Sequence, residues 1–265
     1  MPPKGHAILS ASSSDRWLHC PPSARLCETY EDKGSNYAEE GSDAHSLCEY
    51  KLRKALGIKA TDPTTNLDWY NAEMDDCATG YACFIMELLE EAKQTCSDPV
   101  VLIEQRVDFS RWIEQGFGTS DAILISDGTM HVIDYKHGLG ILVSAEDNPQ
   151  MKCYALGALE LFDDIYDIDT VSMTIYQPRR QNVTTYEVSK DAVSKAVEAA
   201  GFDPYEKKLL GITAMQKLLG KFHFEELLAA YIEKPQGKPT LVPESDKRPA
   251  MNTAKNDFME EYDNE

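Results

Sequence analysis

Apolar residues recur at steps of three and four along two stretches near the start of the chain, a spacing that places them on one side of a helix. The pattern predicts helices over residues 36–56 and 67–93. Before them, residues 8–20 are typical of a loop that leads into a short helix. Ser14 or Asp15 would be its N-cap, because a short polar side chain can accept hydrogen bonds from the free amides of a first turn.

After the second helix the pattern changes to runs of β-branched and aromatic residues, which favour strands. Asp127-Gly128 separates two of these runs, and an Asp-Gly pair in that position favours a two-residue hairpin turn. Pro149 is placed to open a helix, because proline is well tolerated at the first helical position. The predicted strands cover residues 100–107, 117–125, 130–136, 140–144, 171–177 and 183–188, and the later helices cover 149–162, 189–200 and 204–232, with breaks near Gly211 and Gly220.

The order of these elements predicts an α/β fold with a mixed central β-sheet flanked by helices. We assign residues 1–200 to the core, 201–233 to a helical C-terminal element, and 234–265 to an extended or disordered tail rich in Pro, Gly and charge. No run approaches the ~18 apolar residues that a membrane span needs. The N-terminus has no apolar segment of the kind that signal peptides carry.

Charge and cysteine content narrow the class of protein. The chain has 45 acidic and 26 basic residues, for a net charge of −19. That charge opposes nucleic-acid binding, which relies on Lys and Arg, although a carboxylate-rich metal site contributes negative charge itself. Seven scattered cysteines, an odd number, favour reduced thiols in a cytoplasm over a disulfide framework. We therefore expect a cytoplasmic protein.

The hairpin around Asp127-Gly128 brings charged residues together. A two-residue turn sets Asp121 directly opposite Asp134, and such partners have Cβ atoms ~5 Å apart on one face. Lys136 lies two residues beyond Asp134 and projects from the same face. Two carboxylates this close favour a divalent cation, and oxygen ligands suit Mg²⁺ or Mn²⁺. Lys136 is then placed to orient or deprotonate an attacking water. The same spacing also fits a surface hairpin with an ordinary Asp–Lys ion pair.

Five short motifs accompany these residues in order. They are Ser10-Ala-Ser-Ser-Ser through Cys20-Pro21, Gly41-Ser-Asp-Ala-His45, Gly118-Thr-Ser-Asp121, Val132-Ile-Asp134-Tyr-Lys136 and Gln150-x-x-x-Tyr154. The set resembles the RecB-type branch of the PD-(D/E)XK nucleases, in which a G-x-x-D strand precedes a D/E-x-K strand and a Q-x-x-x-Y helix follows. More narrowly, the chain resembles the phage and prophage group called domain of unknown function 2800, also over residues 205–215 and 238–249.

The resemblance implies a PD-(D/E)XK, restriction-endonuclease-like fold and a Mg²⁺- or Mn²⁺-dependent deoxyribonuclease. The metal ligands would be His45, Asp121 and Asp134 with the Tyr135 carbonyl, and Lys136 would act on the water and the transition state. A structural role is the alternative for His45. By analogy with RecB-type enzymes, an exonuclease acting on DNA ends is favoured, in phage DNA replication, recombination or processing within a bacterial host. Replication or recombination proteins of the phage are its expected partners.

Further residues receive supporting roles. Gln150 and Tyr154 face together on the predicted helix, where they would contact DNA or order the site; helix packing is the alternative. Arg16, Arg179 and Arg180 are candidate phosphate contacts.

Other charged residues are predicted to lie outside the active centre. Glu40 and Glu49 are expected to be helix-face charges, and Glu104 a solvated strand residue rather than a supporting carboxylate. His131 and His137 fall on the strand face opposite the aspartates.

Longer relatives carry a cysteine-bearing segment after the core, of the kind that holds an iron–sulfur cluster in some RecB-type enzymes. Here no cysteine follows Cys153. We therefore expect no iron–sulfur cluster, and we expect Cys20 to be a buried structural thiol.

Two other functions compete with the nuclease. The first is a nuclease fold kept for binding DNA or a replication protein, with weak or no cleavage, which the net charge of −19 favours. The second is an acidic DNA mimic that inhibits a host enzyme. Divalent-metal binding that depends on Asp134 separates the enzyme from the inert binding module.

Overall fold

A computed structural model describes residues 7–30, 34–199 and 212–228. The chain divides into two compact units, Met1–Tyr205 and Glu206–Glu265. Among the described residues, no helix is both long enough and apolar enough to cross a membrane.

Five strands form the single sheet of the first unit. They are β1 (Val100–Asp108), β2 (Phe117–Ser126), β3 (Gly128–Tyr135), β4 (Ile168–Gln177) and β5 (Asn182–Ser189). Their order across the sheet is β1-β2-β3-β4-β5. β3 and β4 run parallel, and every other neighbouring pair is antiparallel. The predicted mixed sheet is confirmed.

Helices flank this sheet. They are α1 (Ser14–His19), α2 (Pro22–Glu28), α3 (Asn36–Ala55), α4 (Ala72–Ala92), α5 (Pro149–Phe162) and α6 (Lys190–Ala199). Alternate residues of β2 and β3 enter two cores: Ala122, Ile133 and Tyr135 pack with α3 and α4, whereas Ile123 and Val132 pack with α5. Burial on both faces explains why these two strands are apolar over most of their length.

The β2–β3 hairpin has the predicted register. Ser126 pairs with Thr129 and Ala122 with Ile133 across the two-residue turn. Gly128 adopts a φ of 74°, the left-handed region that glycine enters without strain. Continuing this register sets Asp121 level with Asp134.

Two helix starts differ from prediction for reasons of capping. α4 begins later than predicted because the Asn71 side chain accepts a hydrogen bond from the Met74 amide at 2.9 Å and so fixes the N-terminus there. In α1 the N-cap is Ser13, without a side-chain hydrogen bond, so the prediction of Ser14 or Asp15 as cap was wrong. Ser14 is instead the first residue of the helix, and its side chain is buried.

The prediction of a strand over residues 140–144 was wrong: in the structure, which describes these residues, they form a loop. The buried Gln177 side chain binds this loop directly. Its Nε2 donates to the carbonyl oxygens of Gly138 and Ile141 at 2.9 and 3.0 Å, and its Oε1 accepts from the Val143 amide at 3.2 Å. One side-chain amide thus provides hydrogen bonds that a neighbouring strand would otherwise supply.

In the second unit, the structure describes α7 (Ile212–Leu228). The backbone of Gly220 departs from helical geometry, with φ 71° and ψ 158°, which agrees with the predicted break. The predicted break near Gly211 and the predicted tail over residues 234–265 lie outside the described residues.

Candidate metal centre

Asp121, Asp134 and Lys136 converge at one end of the β2–β3 hairpin, as predicted. Asp134 is buried, with 2% of its surface exposed. The Lys136 ammonium lies 2.8 Å from its Oδ2 in an ion pair. Asp121 is fixed differently: its Oδ2 accepts a hydrogen bond from the Tyr135 backbone amide at 2.6 Å. The alternative of a surface hairpin with an ordinary ion pair is excluded by the burial of Asp134.

Gln150 connects α5 to this pair. Its Nε2 donates to Asp134 Oδ1 at 2.8 Å, and its Oε1 accepts from Lys136 Nζ at 2.9 Å. The same Nε2 lies 3.1 Å from the Tyr154 hydroxyl, one helical turn further along. Asn148 caps this helix by accepting from the amides of Gln150 and Met151. Gln150 therefore joins Asp134 to Lys136, and Tyr154 contacts Gln150 from the next turn; the roles predicted for the two residues in a nuclease stay predictions.

The absence of a side chain at Gly118 makes room for this arrangement. A Cβ built there would lie 2.8 Å from Tyr154 Cε1 and 3.2 Å from the Ala11 side chain, closer than packed carbon atoms approach. Ala11 belongs to the N-terminal serine motif, where Trp17 Nε1 donates to the Ser10 carbonyl at 2.9 Å. The N-terminal motif and the strand of Asp121 thus meet at the Tyr154 ring.

His45, from the middle of α3, approaches Asp121 from the other layer. Its Nδ1 lies 3.1 Å from Asp121 Oδ1, and 36% of the imidazole is exposed, so a small ion can reach it. Burial alone would lower the pKa of His45, but the Asp121 carboxylate outweighs burial and raises it to about 9. The imidazole is therefore favoured as a cation beside the Asp121 carboxylate.

Glu104 is the functional candidate that sequence reasoning missed. It was predicted to be solvated, but it lies half-buried on β1, level with Asp121 in the β1–β2 register. One ligand atom from each of His45, Glu104 and Asp121 lie within 4.8 Å of one another. Burial, followed by the charge of Asp121, raises the pKa of Glu104 from 4.5 to about 7.

The backbone at Glu104 is strained as well. Its φ is 50°, a left-handed conformation that is unfavourable for a residue other than glycine and that concentrates at functional sites. The sequence feature that could have identified Glu104 is that it is the one acidic residue of β1 before Asp108.

The charges of Asp134 and Lys136 depend on each other. Burial raises the pKa of Asp134, and the nearby Lys136 opposes this. For Lys136, burial acts to lower the pKa, but Asp134 outweighs it and the net change is upward. The lysine is therefore held as an ammonium, which suits it to orient a water and offset negative charge rather than to accept a proton.

The predicted phosphate contacts lie in three different environments. Arg16 is exposed on α1. Arg180 is exposed, and its guanidinium lies 3.4 Å from the Leu139 carbonyl. Arg179 is only 14% exposed and forms ion pairs with Glu40 at 2.9 Å and Glu73 at 3.2 Å, so it joins the end of β4 to α3 and α4.

The remaining charged candidates have other partners. Glu49 forms an ion pair with Arg53 at 2.9 Å, as expected for a helix-face charge. Glu40 instead faces the protein, where it contacts Arg179 and, at 3.5 Å, His137. His137 is buried on the face away from the aspartates, with its Nδ1 2.9 Å from the Tyr135 hydroxyl, as its position in the strand predicts.

The prediction for Cys20 was wrong, because its side chain is exposed. α1 ends at His19, and the backbone of Cys20 leaves the helical conformation, with φ −140° and ψ 78°. The residue therefore does not continue the buried face formed by Ser14 and Trp17. All seven cysteines of the chain carry free thiols.

Comparison with known proteins places the chain in a family. The profile of the family described as "Protein of unknown function (DUF2800)" matches residues 6–198 and 188–249. Among solved structures, the crystal structure of SSO0001 matches 73% of this chain and 98% of its own chain, at 13% sequence identity and a TM-score of 0.23. A TM-score this low is not evidence of a shared fold or function.

Proposed function

We propose that this chain, which belongs to the DUF2800 family of proteins of unknown function, is a Mg²⁺- or Mn²⁺-dependent deoxyribonuclease with a PD-(D/E)XK-like fold. One observation carries the proposal. Three adjacent strands bring Glu104, Asp121 and Asp134 to the same level of the sheet, beside His45 from a helix and the Lys136 ammonium. A protein that only packs or binds has no need for three neighbouring carboxylates at one end of its sheet.

The donor set fits a hard divalent cation. Carboxylate oxygens with one imidazole suit Mg²⁺ or Mn²⁺, and the ligand atoms of His45, Glu104 and Asp121 are close enough to share one ion. The pKa of Glu104, raised to about 7, reflects burial and carboxylate repulsion that His45 and Arg53 only partly offset. Asp134 and the Tyr135 carbonyl would complete the ligands. When bound, the ion would acidify a water molecule and stabilise charge on the phosphate.

The chain's own groups supply the rest of the chemistry. The Lys136 ammonium, held by Asp134 and Gln150, would donate hydrogen bonds to the attacking water and to a phosphate oxygen as negative charge develops there. Gln150 would keep both partners in place through its two bonds. Tyr154, packed against Gly118, would limit the movement of Gln150.

The substrate and setting follow from the resemblance to RecB-type enzymes. We propose an exonuclease that acts on DNA ends or single strands during phage DNA replication, recombination or processing in the host cytoplasm. Of the predicted phosphate contacts, Arg16 and Arg180 have exposed guanidinium groups, whereas Arg179 is engaged by two carboxylates. We therefore prefer Arg16 and Arg180 to Arg179 as the phosphate contacts.

The test is cleavage of end-labelled single- and double-stranded DNA with Mn²⁺, Mg²⁺ or EDTA. We expect metal-dependent degradation that falls by at least about 100-fold in Asp134→Ala and in Lys136→Ala, the loss typical of one electrostatic group at an active centre. The matched controls are Lys51→Ala and Asp75→Ala, which break an Asp–Lys ion pair of the same 2.8 Å length between α3 and α4. These controls should retain wild-type activity.

A binding module is the second candidate, favoured by the net charge of −19 and by the engagement of Arg179 with Glu40 and Glu73. DNA binding without cleavage in any metal, unchanged by Asp134→Ala, would support it and would exclude the nuclease.

A further inference from the structure

A groove opens beside the candidate metal centre, between the first turns of α3 and the loop over residues 138–143. Its volume is about 780 Å³, within the range of cavities that hold small molecules. Lys136 is one of its lining residues, so the groove adjoins the place where the proposed scissile phosphate would lie. The side of α3 contributes Tyr37, Glu40 and Gly41, and the loop side contributes Leu139, Ile141 and Val143.

Large apolar side chains project into this groove without cover from the described parts of the chain. Tyr37 and Ile141 are each 86% exposed, and Leu139 is 50% exposed. Because burial removes apolar side chains from water, their exposure around one groove marks a surface that gains free energy when a ligand covers it.

Gly41 gives an independent reason to infer a ligand. It lies inside α3, where glycine destabilises the helix relative to alanine. A Cβ built on Gly41 would meet no other atom within 4 Å. No contact within the described chain therefore requires a glycine, and its effect is to keep the groove open.

Helical spacing connects this open position to the metal centre. Tyr37, Gly41 and His45 follow one another at intervals of four, so they form a stripe on one side of α3. The stripe runs about 12 Å along the helix axis, from an exposed aromatic ring, past an open space, to the imidazole beside Asp121.

We propose that this groove holds an unpaired nucleobase of a DNA strand whose phosphate lies at the metal centre, with the Tyr37 ring stacked on the base and Ile141 packed against it. The inference rests on the proposed nuclease function and narrows its substrate to single-stranded DNA or frayed ends. A base inside a duplex has both faces stacked and cannot offer one to Tyr37. Lys136 within the groove and Arg180 at its edge, 3.4 Å from the Leu139 carbonyl, supply the cations that a phosphate backbone requires.

The first experiment measures binding of a single-stranded oligonucleotide that contains 2-aminopurine, whose fluorescence falls on stacking. It is done in EDTA at low salt, so that no cleavage consumes the probe. Aromatic stacking contributes about 1–3 kcal/mol per base, so Tyr37→Ala should raise the Kd by about 5- to 150-fold and abolish the quenching. Ile141→Ala should weaken the Kd less. Tyr30→Ala and Ile165→Ala remove side chains of the same types elsewhere, each 70% exposed, and should bind as wild type.

A second variant adds a side chain instead of removing one. Gly41→Leu adds a side chain at a position where a Cβ would meet no atom of the described chain within 4 Å, and the rest of the leucine would extend into the groove. We expect its thermal unfolding midpoint to equal or exceed that of wild type, because leucine favours helix, while binding of the single-stranded probe is lost. A Gly41→Leu protein that folds and still quenches the probe overturns the proposal.

The outcomes separate this inference from the nuclease function. Suppose that the wild type cleaves DNA while Tyr37→Ala, Ile141→Ala and Gly41→Leu bind the probe as wild type does. This result refutes base binding in the groove and leaves the nuclease proposal unaffected. Probe binding that depends on these residues in a protein that cleaves nothing supports the groove and excludes the nuclease. If the wild-type protein neither binds nor quenches the probe, base binding in the groove is refuted.

Discussion

Replacing Glu104 with glutamine tests the candidate metal centre through stability alone, without any assumption about the substrate. Glu104→Gln keeps the size of the side chain and removes its charge. In the wild type, burial and Asp121 raise the pKa of this carboxyl from 4.5 to about 7. Because the folded pKa lies above the unfolded one, the ionised carboxylate destabilises the fold, and this destabilisation grows as the pH rises from about 4.5 to about 7.

The magnitude follows from the same values. A rise in pKa from 4.5 to about 7 corresponds to about 3 kcal/mol at 1.36 kcal/mol per pKa unit. Screening by solvent at this half-buried position reduces the figure to about 1–2 kcal/mol. At pH 8 in EDTA, Glu104→Gln should therefore unfold with a free energy about 1–2 kcal/mol higher than that of wild type. At pH 4.5 the difference should vanish.

Bound metal should make wild type more stable than Glu104→Gln, the reverse of their order in EDTA. A cation bound at 100 times its Kd stabilises the folded state by about 2.7 kcal/mol, and the variant lacks one of the ligands. Urea unfolding with EDTA and with Mn²⁺, at both pH values, measures all four cases. Glu187→Gln, an exposed carboxylate on β5, is the control and should change little in any of them. The reasoning would be refuted if Glu104→Gln were less stable than wild type in EDTA at pH 8, or if Mn²⁺ stabilised the variant as much as it stabilises wild type.

Three further predictions concern the same region. Gly118→Ala should lower the free energy of unfolding by about 1–3 kcal/mol, measured by urea titration, because its Cβ would lie 2.8 Å from the Tyr154 ring; equal stability would contradict the close packing. The affinity for Mn²⁺, measured by calorimetry, should rise about tenfold per pH unit between pH 7 and 9, because His45, with a pKa of about 9, must lose its proton to bind the ion. An affinity that does not change with pH would exclude His45 as a ligand. Gln177→Leu should destabilise the protein by about 1–3 kcal/mol and speed proteolysis within residues 138–143, whose backbone Gln177 holds; unchanged proteolysis would show that the loop is held by other contacts.

The sequence predicted the parts of the site whose geometry is set locally. A two-residue turn fixes the register of the β2–β3 hairpin, so the positions of Asp121, Asp134 and Lys136 followed from counting residues. Gln150 and Tyr154 share a helix face for an equally local reason. Glu104 was missed because residues 109–116 join β1 to β2, and a connection of that length leaves the register open.

Other features depend on contacts between residues that are distant in the chain. The ion pair of Arg179 with Glu40, 139 positions away, is one that no nearby residue in the sequence indicates. The apolar residues at 140–144 favour a strand, but the Gln177 side chain binds their backbone. Periodicity and motif spacing describe an element, whereas such pairings depend on how the elements are assembled.

The two oxygens of Asp121 have separate neighbours, and this difference has a consequence for ion selectivity. Oδ2 accepts from the Tyr135 amide at 2.6 Å, while Oδ1 faces His45 at 3.1 Å. Because one lone pair of Oδ2 is taken by the backbone of β3, Oδ1 is the freer of the two oxygens for a cation. Ca²⁺ readily takes carboxylates through both oxygens and gathers six to eight ligands, whereas Mg²⁺ needs fewer ligands at shorter distances. We therefore expect this backbone hydrogen bond of the hairpin to disfavour Ca²⁺ at the proposed metal centre.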